Sequence, residues 1–190
     1  MIPSLEAVRA ISRERQDAIV VSTMSPNRYW EAVTENPDLD LPIFGAMGKA
    51  SSVALGLALA RPEKKVLVLD GDGGLLMNLG SLVTIAGQAP ENLVHFLFED
   101  GVYFTTGSQP VPGAGRVSLA GMARDAGFRH SHEFDNLEDF ASELPSIMKK
   151  PGPVFVCLKV DHPDEQPPVY IGNTGAAMKR LAAKLGGAQA

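Results

Sequence analysis

With 190 residues, 45% of them hydrophobic and 21% charged, the chain has the composition of a folded globular protein, long enough for one domain with a real core and short for two. A formal net charge of −5, with no basic run to offset it, argues against nucleic acid or an anionic membrane surface as partner. The single cysteine, Cys157, excludes a disulfide framework and a four-cysteine zinc or iron–sulfur set, and points to a reducing, cytoplasmic setting.

The opening stretch, MIPSLEAVRAISRERQDAIVV, carries charges too early and too often for a signal peptide. No apolar run reaches the ~20 residues that a membrane helix needs. Residues 4–16 predict a helix with Ser4 as its cap and Leu5, Val8 and Ile11 on one face. AIVVS, 18–22, reads as a short strand. A helix is expected from near Asn27 to before Pro37, followed by a polar, proline-bearing loop, NPDLDLPI, over 36–43. Residues 48–60 read as a helix of small residues able to pack close to a sheet. KVLVLD, 65–70, does not alternate, so it predicts a strand covered on both faces.

A helix over 75–87 and a second buried strand, LVHFLF at 93–98, come next. After a long loop rich in glycine and proline, the pattern predicts a helix at 118–126, a short strand at 129–134 and a helix at 136–148. PVFVCLKV is a further strand. The last helix runs from Thr174 to Leu185, with Met178, Leu181 and Leu185 on one side and Lys179, Arg180 and Lys184 on the other. Strands alternating with helices predict an α/β fold, a doubly wound, mainly parallel sheet in a single domain over 1–190. Ligands in such sheets bind at the carboxyl ends of strands, beside a switch point. Asp70–Gly74 and Glu99–Tyr103 both follow strands and can lie side by side there.

The chemistry concentrates in LVLDGDGGLLMNLGSL, 67–82. Glycines let the backbone turn sharply and approach a ligand, and N–H groups near the following helix start can donate to phosphate oxygens. A carboxylate in the middle of an anion site repels a phosphate unless a metal ion stands between them. Asp72 is therefore a candidate Mg²⁺ ligand. Alone, Gly71-Asp72-Gly73-Gly74 also fits a plain turn before a helix. The second element is EDGVY, Glu99–Tyr103, which begins after 25 intervening residues and also closes a strand.

Together the two elements resemble the thiamine diphosphate motif, which reads GDG, some two dozen residues, then an asparagine pair. FGAMGKASSVALGLALARPEKKVLVLDGDGGLLMNLGSL and YFTTGSQP further resemble the cofactor-binding half of the sulfopyruvate and phosphonopyruvate decarboxylases. The resemblance implies that Mg²⁺ is held by Asp72, Asp100 and the backbone carbonyl of Val102. Gly71, Gly73 and Gly74 would meet the diphosphate through their backbones. Met47 would wedge between the two cofactor rings, with the Gly45 carbonyl and the Met47 N–H pairing with the aminopyrimidine. Tyr103, Thr105, Thr106, Ser108 and Gln109 would form a loop closing over the cofactor or substrate. The chain departs from the motif at one point: the pair is Glu99-Asp100. Asp100 is a competent ligand but adds a negative charge beside the diphosphate, so something compensates for it or the cofactor binds less tightly.

Enzymes of this type activate the aminopyrimidine with a glutamate from a second domain, which a chain of this length leaves no room for. Glu6, Glu14, Glu31 and Glu35 read as solvated helix faces. The resemblance therefore implies a β-type subunit, completed by an α-type partner in a hetero-oligomer with a homodimeric core. The expected reaction is decarboxylation of a small 2-oxoacid. An acetolactate synthase-like carboligase, or a non-catalytic subunit that only binds thiamine diphosphate, are the alternatives. Among other reactive side chains, His130 and His132 read as a polar strand edge, and His95 as a satisfied core histidine. Cys157 reads as core, since free cysteine packs as a small hydrophobe. Arg28 reads as a surface arginine or as a contact for an anionic substrate. HPDEQPPVY, 162–170, reads as a rigid polar loop without a role.

Overall fold

The computed structural model describes residues 1–162, 167 and 172–186. Strand β1 (Ile2–Pro3) leads into helix α1 (Ser4–Glu14), then β2 (Ile19–Thr23), α2 (Met24–Glu31), β3 (Asp40–Ile43) and α3 (Ala50–Ala60). Next come β4 (Val66–Gly71), a single helical turn α4 (Asp72–Leu76), α5 (Ser81–Gln88) and β5 (Leu93–Glu99). A small hairpin, β6 (Val102–Tyr103) and β7 (Gln109–Pro110), precedes α6 (Leu119–Ala126), β8 (His130–Phe134), α7 (Leu137–Ile147), β9 (Val154–Asp161) and α8 (Thr174–Lys184).

Seven strands form one parallel sheet in the order β1-β9-β5-β4-β2-β3, with β8 beside β1 along the same edge of β9. Non-alternating apolar strands are covered on both faces, as β4 shows. Val66 and Val68 join the cluster under α3, α5, α6 and α8, while Leu67 and Leu69 join the cluster under α1, α2 and α7. From β2 the chain passes outward to β3. It then returns to β4 and continues the other way to β5. The switch point therefore lies between β2 and β4, and the ligand crevice is expected at their carboxyl ends. Among the described residues, no helix is long and apolar enough to cross a membrane.

The structure corrects several expectations. The 36–43 segment is not all loop, because Asp40–Ile43 is a buried strand paired with β2. Its charge is neutralised by Arg15, whose Nη2 stands 2.7 Å from Asp40 Oδ1, and Pro42 is tolerated because β3 is an edge strand. Ser4 is the first residue of α1 and not its cap; its hydroxyl donates to the Asp161 carbonyl at 2.7 Å. The helix expected over 75–87 is two pieces, α4 and α5. In α8 the buried residues are Ala177 and Leu181, and Met178 is 55% exposed. Of HPDEQPPVY, only His162 and Pro167 fall within the described residues.

One contact pins the turn before β9. A Cβ at Gly152 would come within 2.6 Å of the Leu93 carbonyl oxygen and 2.7 Å of that of Pro90. Both obstacles are backbone and neither can swing away. Gly152→Ala is expected to cost about 2–3 kcal/mol of stability, read as a lowered urea midpoint. An unchanged midpoint would contradict this packing.

Candidate cofactor site

Gly71 ends β4, and Asp72 opens α4 only 2% exposed. Its Oδ1 accepts the Gly73 N–H at 2.6 Å, and its Oδ2 accepts the Gly101 N–H at 2.8 Å. One carboxylate thus ties the turn after β4 to the turn after β5. Burial, then the charge of Asp100 and more weakly that of Glu99, push Asp72 up to about 6, against the two N–H donors that favour its charged form. Asp100 is fixed from its own loop, with Oδ1 accepting the Val102 N–H at 2.9 Å. Gly101, at φ +79°, supplies the left-handed turn between them.

The motif glycines differ in what they permit. A Cβ at Gly73 would meet the Tyr103 ring at 2.6 Å and the Met47 Cε at 3.3 Å. A Cβ at Gly74 would meet Asp70 Oδ1 at 2.6 Å. At Gly71 nothing lies within 4 Å, so this side of the turn is open. Around them is a cleft of about 30 Å³. The expected residues Met47, Gly71, Asp72, Gly73, Gly74, Asp100, Val102 and Tyr103 all line it. Gly45 does not; it is exposed, at φ +68°, in the turn leading to Met47. The loop after Asp100 is a short hairpin, in which Tyr103 pairs with Gln109. Thr105, Thr106, Ser108 and Gln109 are exposed.

Three parts of the cleft were not anticipated. Met24–Pro26 enter it from the end of β2, and Phe104 from the hairpin. His162 reaches it from the end of β9, and its Nε2 lies 2.6 Å from Asp100 Oδ2. The available signal was positional: a histidine directly after a strand that ends at the same sheet edge.

Other side chains are placed elsewhere. Glu99 turns away from the cleft, taking the Lys159 ammonium at 2.6 Å and the Cys157 thiol at 2.9 Å. Cys157 is buried core, as expected, and burial followed by the Glu99 carboxylate raise its thiol well above the usual range. Glu99, Glu133 and Cys157 come close enough to suit a metal, but Lys159 already supplies the cation there. His130 and His132 sit on the edge strand β8, and His132 Nε2 stands 3.1 Å from Lys150 Nζ. Arg28 donates from Nε to the Pro167 carbonyl and lines a separate cavity of about 640 Å³ beside α2. Glu31 borders that cavity and is half-buried, which raises its carboxyl, so it is not a fully solvated face. None of Glu6, Glu14, Glu31 and Glu35 lines the cofactor cleft.

His95 is fully buried, edge-on to Phe155, but its ring nitrogens make no hydrogen bond to the described residues. It is packed, not satisfied. The nearest group is Asp70 Oδ2, 3.8 Å from Nε2. Burial drives His95 down to about 3 and Asp70 up to about 7, so both avoid charge.

These features define a class. An α/β domain presents a helical turn, open backbone and two carboxylates at its switch point, which suits a diphosphate gripped through a hard cation. The donor set fits Mg²⁺: two carboxylates and a backbone carbonyl are hard oxygen ligands, and the raised Asp72 is negative charge that a cation would relieve. The chain belongs to the family described as thiamine pyrophosphate enzyme, C-terminal TPP binding domain, which it matches over residues 19–158. It is 35% identical to the sulfopyruvate decarboxylase subunit beta of Methanothermobacter thermautotrophicus, over 99% of this chain and 98% of that one. It is 37% identical to the phosphonopyruvate decarboxylase of Streptomyces viridochromogenes, over 80% of this chain but only 38% of that longer protein. The thiamine diphosphate-dependent 4-hydroxybenzoylformate decarboxylase of Rhodococcus jostii RHA1 shares the fold, at a TM-score of 0.68 and 18% identity, over 86% of this chain and 33% of that one.

Proposed function

We propose that this chain, as a single domain over 1–190, is the β-type subunit of a two-component 2-oxoacid decarboxylase dependent on thiamine diphosphate and Mg²⁺. The observation that carries the reading is the Asp72–Asp100 pair set against the first turn of α4, both carboxylates lining one cleft at the sheet edge. In this reading the cofactor extends out of the cleft to a surface that a partner covers. Similarity along its whole length to a protein named as a beta subunit supports the same division.

In this reading Asp72, Asp100 and the Val102 carbonyl hold Mg²⁺, and first-turn N–H groups of α4 face the diphosphate. Gly71 leaves the backbone open to that group. Met47 would wedge between the two cofactor rings, with the Gly45 carbonyl and the Met47 N–H available to the aminopyrimidine. The hairpin of β6 and β7 closes over the cofactor or substrate. When bound, the cofactor would supply a thiazolium whose deprotonated carbon is the nucleophile and whose cationic ring takes up the electrons left when CO₂ departs. The activating glutamate belongs to an α-type subunit, and the β-type chains form a homodimeric core of the hetero-oligomer. The substrate is a small 2-oxoacid. An anionic 3-substituent is favoured by the names of the relatives alone, and a cytoplasmic setting by the free thiol of Cys157.

The test is calorimetric titration of thiamine diphosphate into the purified chain, with Mg²⁺ and then with EDTA, alone and with the α-type partner. Mg²⁺-dependent binding that tightens at least about tenfold with the partner is expected. Product analysis on 2-oxoacids then separates aldehyde release from carboligation. Absence of binding in every combination would sink the reading.

A further inference from the structure

We propose that His162 is the positioning residue that makes Asp100 work as a metal ligand in place of the asparagine of the thiamine motif. The inference rests on the cofactor reading above. Its observation is a chain of contacts among residues far apart in sequence. His162 Nε2 and Asp100 Oδ2 are 2.6 Å apart, with side chains only 8% and 12% exposed. A carboxylate can only accept, so Nε2 carries the proton and donates it. Donation occupies Oδ2, while the Val102 N–H fixes Oδ1. The carboxylate is thereby given an orientation and part of its charge is balanced, which an asparagine would obtain from its own amide.

The imidazole is itself held on every side. Its Nδ1 lies 3.0 Å from the Tyr29 hydroxyl and 3.1 Å from Ser4 Oγ. The Tyr29 ring stacks on it at 5.7 Å, and the Phe104 ring lies at 4.1 Å. The β1 pairing of Ile2 with Val160 and Pro3 with Asp161 fastens the end of β9, and Ser4 donates to the Asp161 carbonyl at 2.7 Å. The N-terminal strand therefore locks the segment that carries His162. Such a rigid outer partner is what an oriented metal ligand needs, and loss of one ordinarily weakens metal binding about 10–100-fold.

The experiment is a double-mutant cycle on the full chain with its partner, using wild type, His162→Ala, Asp100→Asn and the double variant. Mg²⁺-dependent thiamine diphosphate binding is measured by calorimetry, and unfolding midpoints are measured in parallel. His162→Ala is expected to weaken binding about 10–100-fold when Asp100 is intact, but less than about threefold in the Asp100→Asn background. His162→Gln, whose amide can still donate, is expected to stay within about threefold of wild type. A structural role would lower the midpoint and binding equally in both backgrounds; that result, or no weakening in either, overturns the proposal. Absence of Mg²⁺-dependent binding by the wild type would instead overturn the cofactor reading, and the clamp with it.

Discussion

Asp72→Ala is expected to abolish Mg²⁺-dependent thiamine diphosphate binding, by at least about 1000-fold or ~4 kcal/mol, while the protein stays folded. The loss should exceed the effect of removing an outer partner, because in the proposed site this side chain is a direct ligand, and it is also the tie between two loops. It accepts one N–H from Gly73 and one from Gly101, so its removal frees the turn after β5 and with it Asp100. The fold survives because the folded chain already holds this carboxylate at a cost: burial and the neighbouring Asp100 raise it to about 6. Loss of two hydrogen bonds and relief of a buried charge oppose each other, leaving a small net change. Calorimetry with and without EDTA, paired with a urea midpoint, checks both halves. Wild-type affinity in the variant would remove Asp72 from the metal site.

Asp70→Asn is expected to stabilise the metal-free protein at pH 8, by about 2–4 kcal/mol, and to change little at pH 4. Asp70 lies fully buried beneath the same turn; its Oδ1 accepts the Gly71 N–H at 2.9 Å and its Oδ2 has no described partner. Its folded value of about 7 stands above its ordinary 3.8. Between those values the folded state binds the proton and the unfolded state does not. Stability is therefore lost as pH rises through that window, and the full penalty applies above pH 7. The amide keeps the oxygen for Gly71 and never ionises. His95 works in the opposite sense: its folded value, about 3 against 6.5, takes stability away as pH falls through that range. Comparing the variant with wild type at each pH cancels the histidine and isolates the aspartate. Urea midpoints at pH 4 and pH 8 decide the matter. A pH-independent difference, or a variant less stable than wild type at pH 8, would contradict it.

The unbroken apolar runs of β4, β5 and β9 mark buried parallel strands because both faces of each are covered, and this needs no knowledge of neighbours. The same logic places the GDGG turn and the Glu99-Asp100 pair at one sheet edge, and the structure brings Asp72 and Asp100 to a single cleft. The failures at Asp40, Met178 and His162 are non-local. Asp40 gives 36–43 the look of a loop, and its burial in β3 is made tolerable by Arg15, 25 positions earlier, and by the Thr34 hydroxyl, which donates to it at 2.6 Å. Met178 departs from the stripe expected of α8 because the pattern does not reveal the surface that the helix packs against. His162 lies in a segment that reads as roleless, and its meeting with Asp100 spans 62 positions.

Periodicity and motif spacing are properties of short stretches, so the α/β class, most of the elements and the candidate ligand positions were legible in the sequence. Only the tertiary structure decided which charges are compensated. The free energy of a buried charge depends on a partner at about 3 Å, and that partner comes from distant parts of the chain.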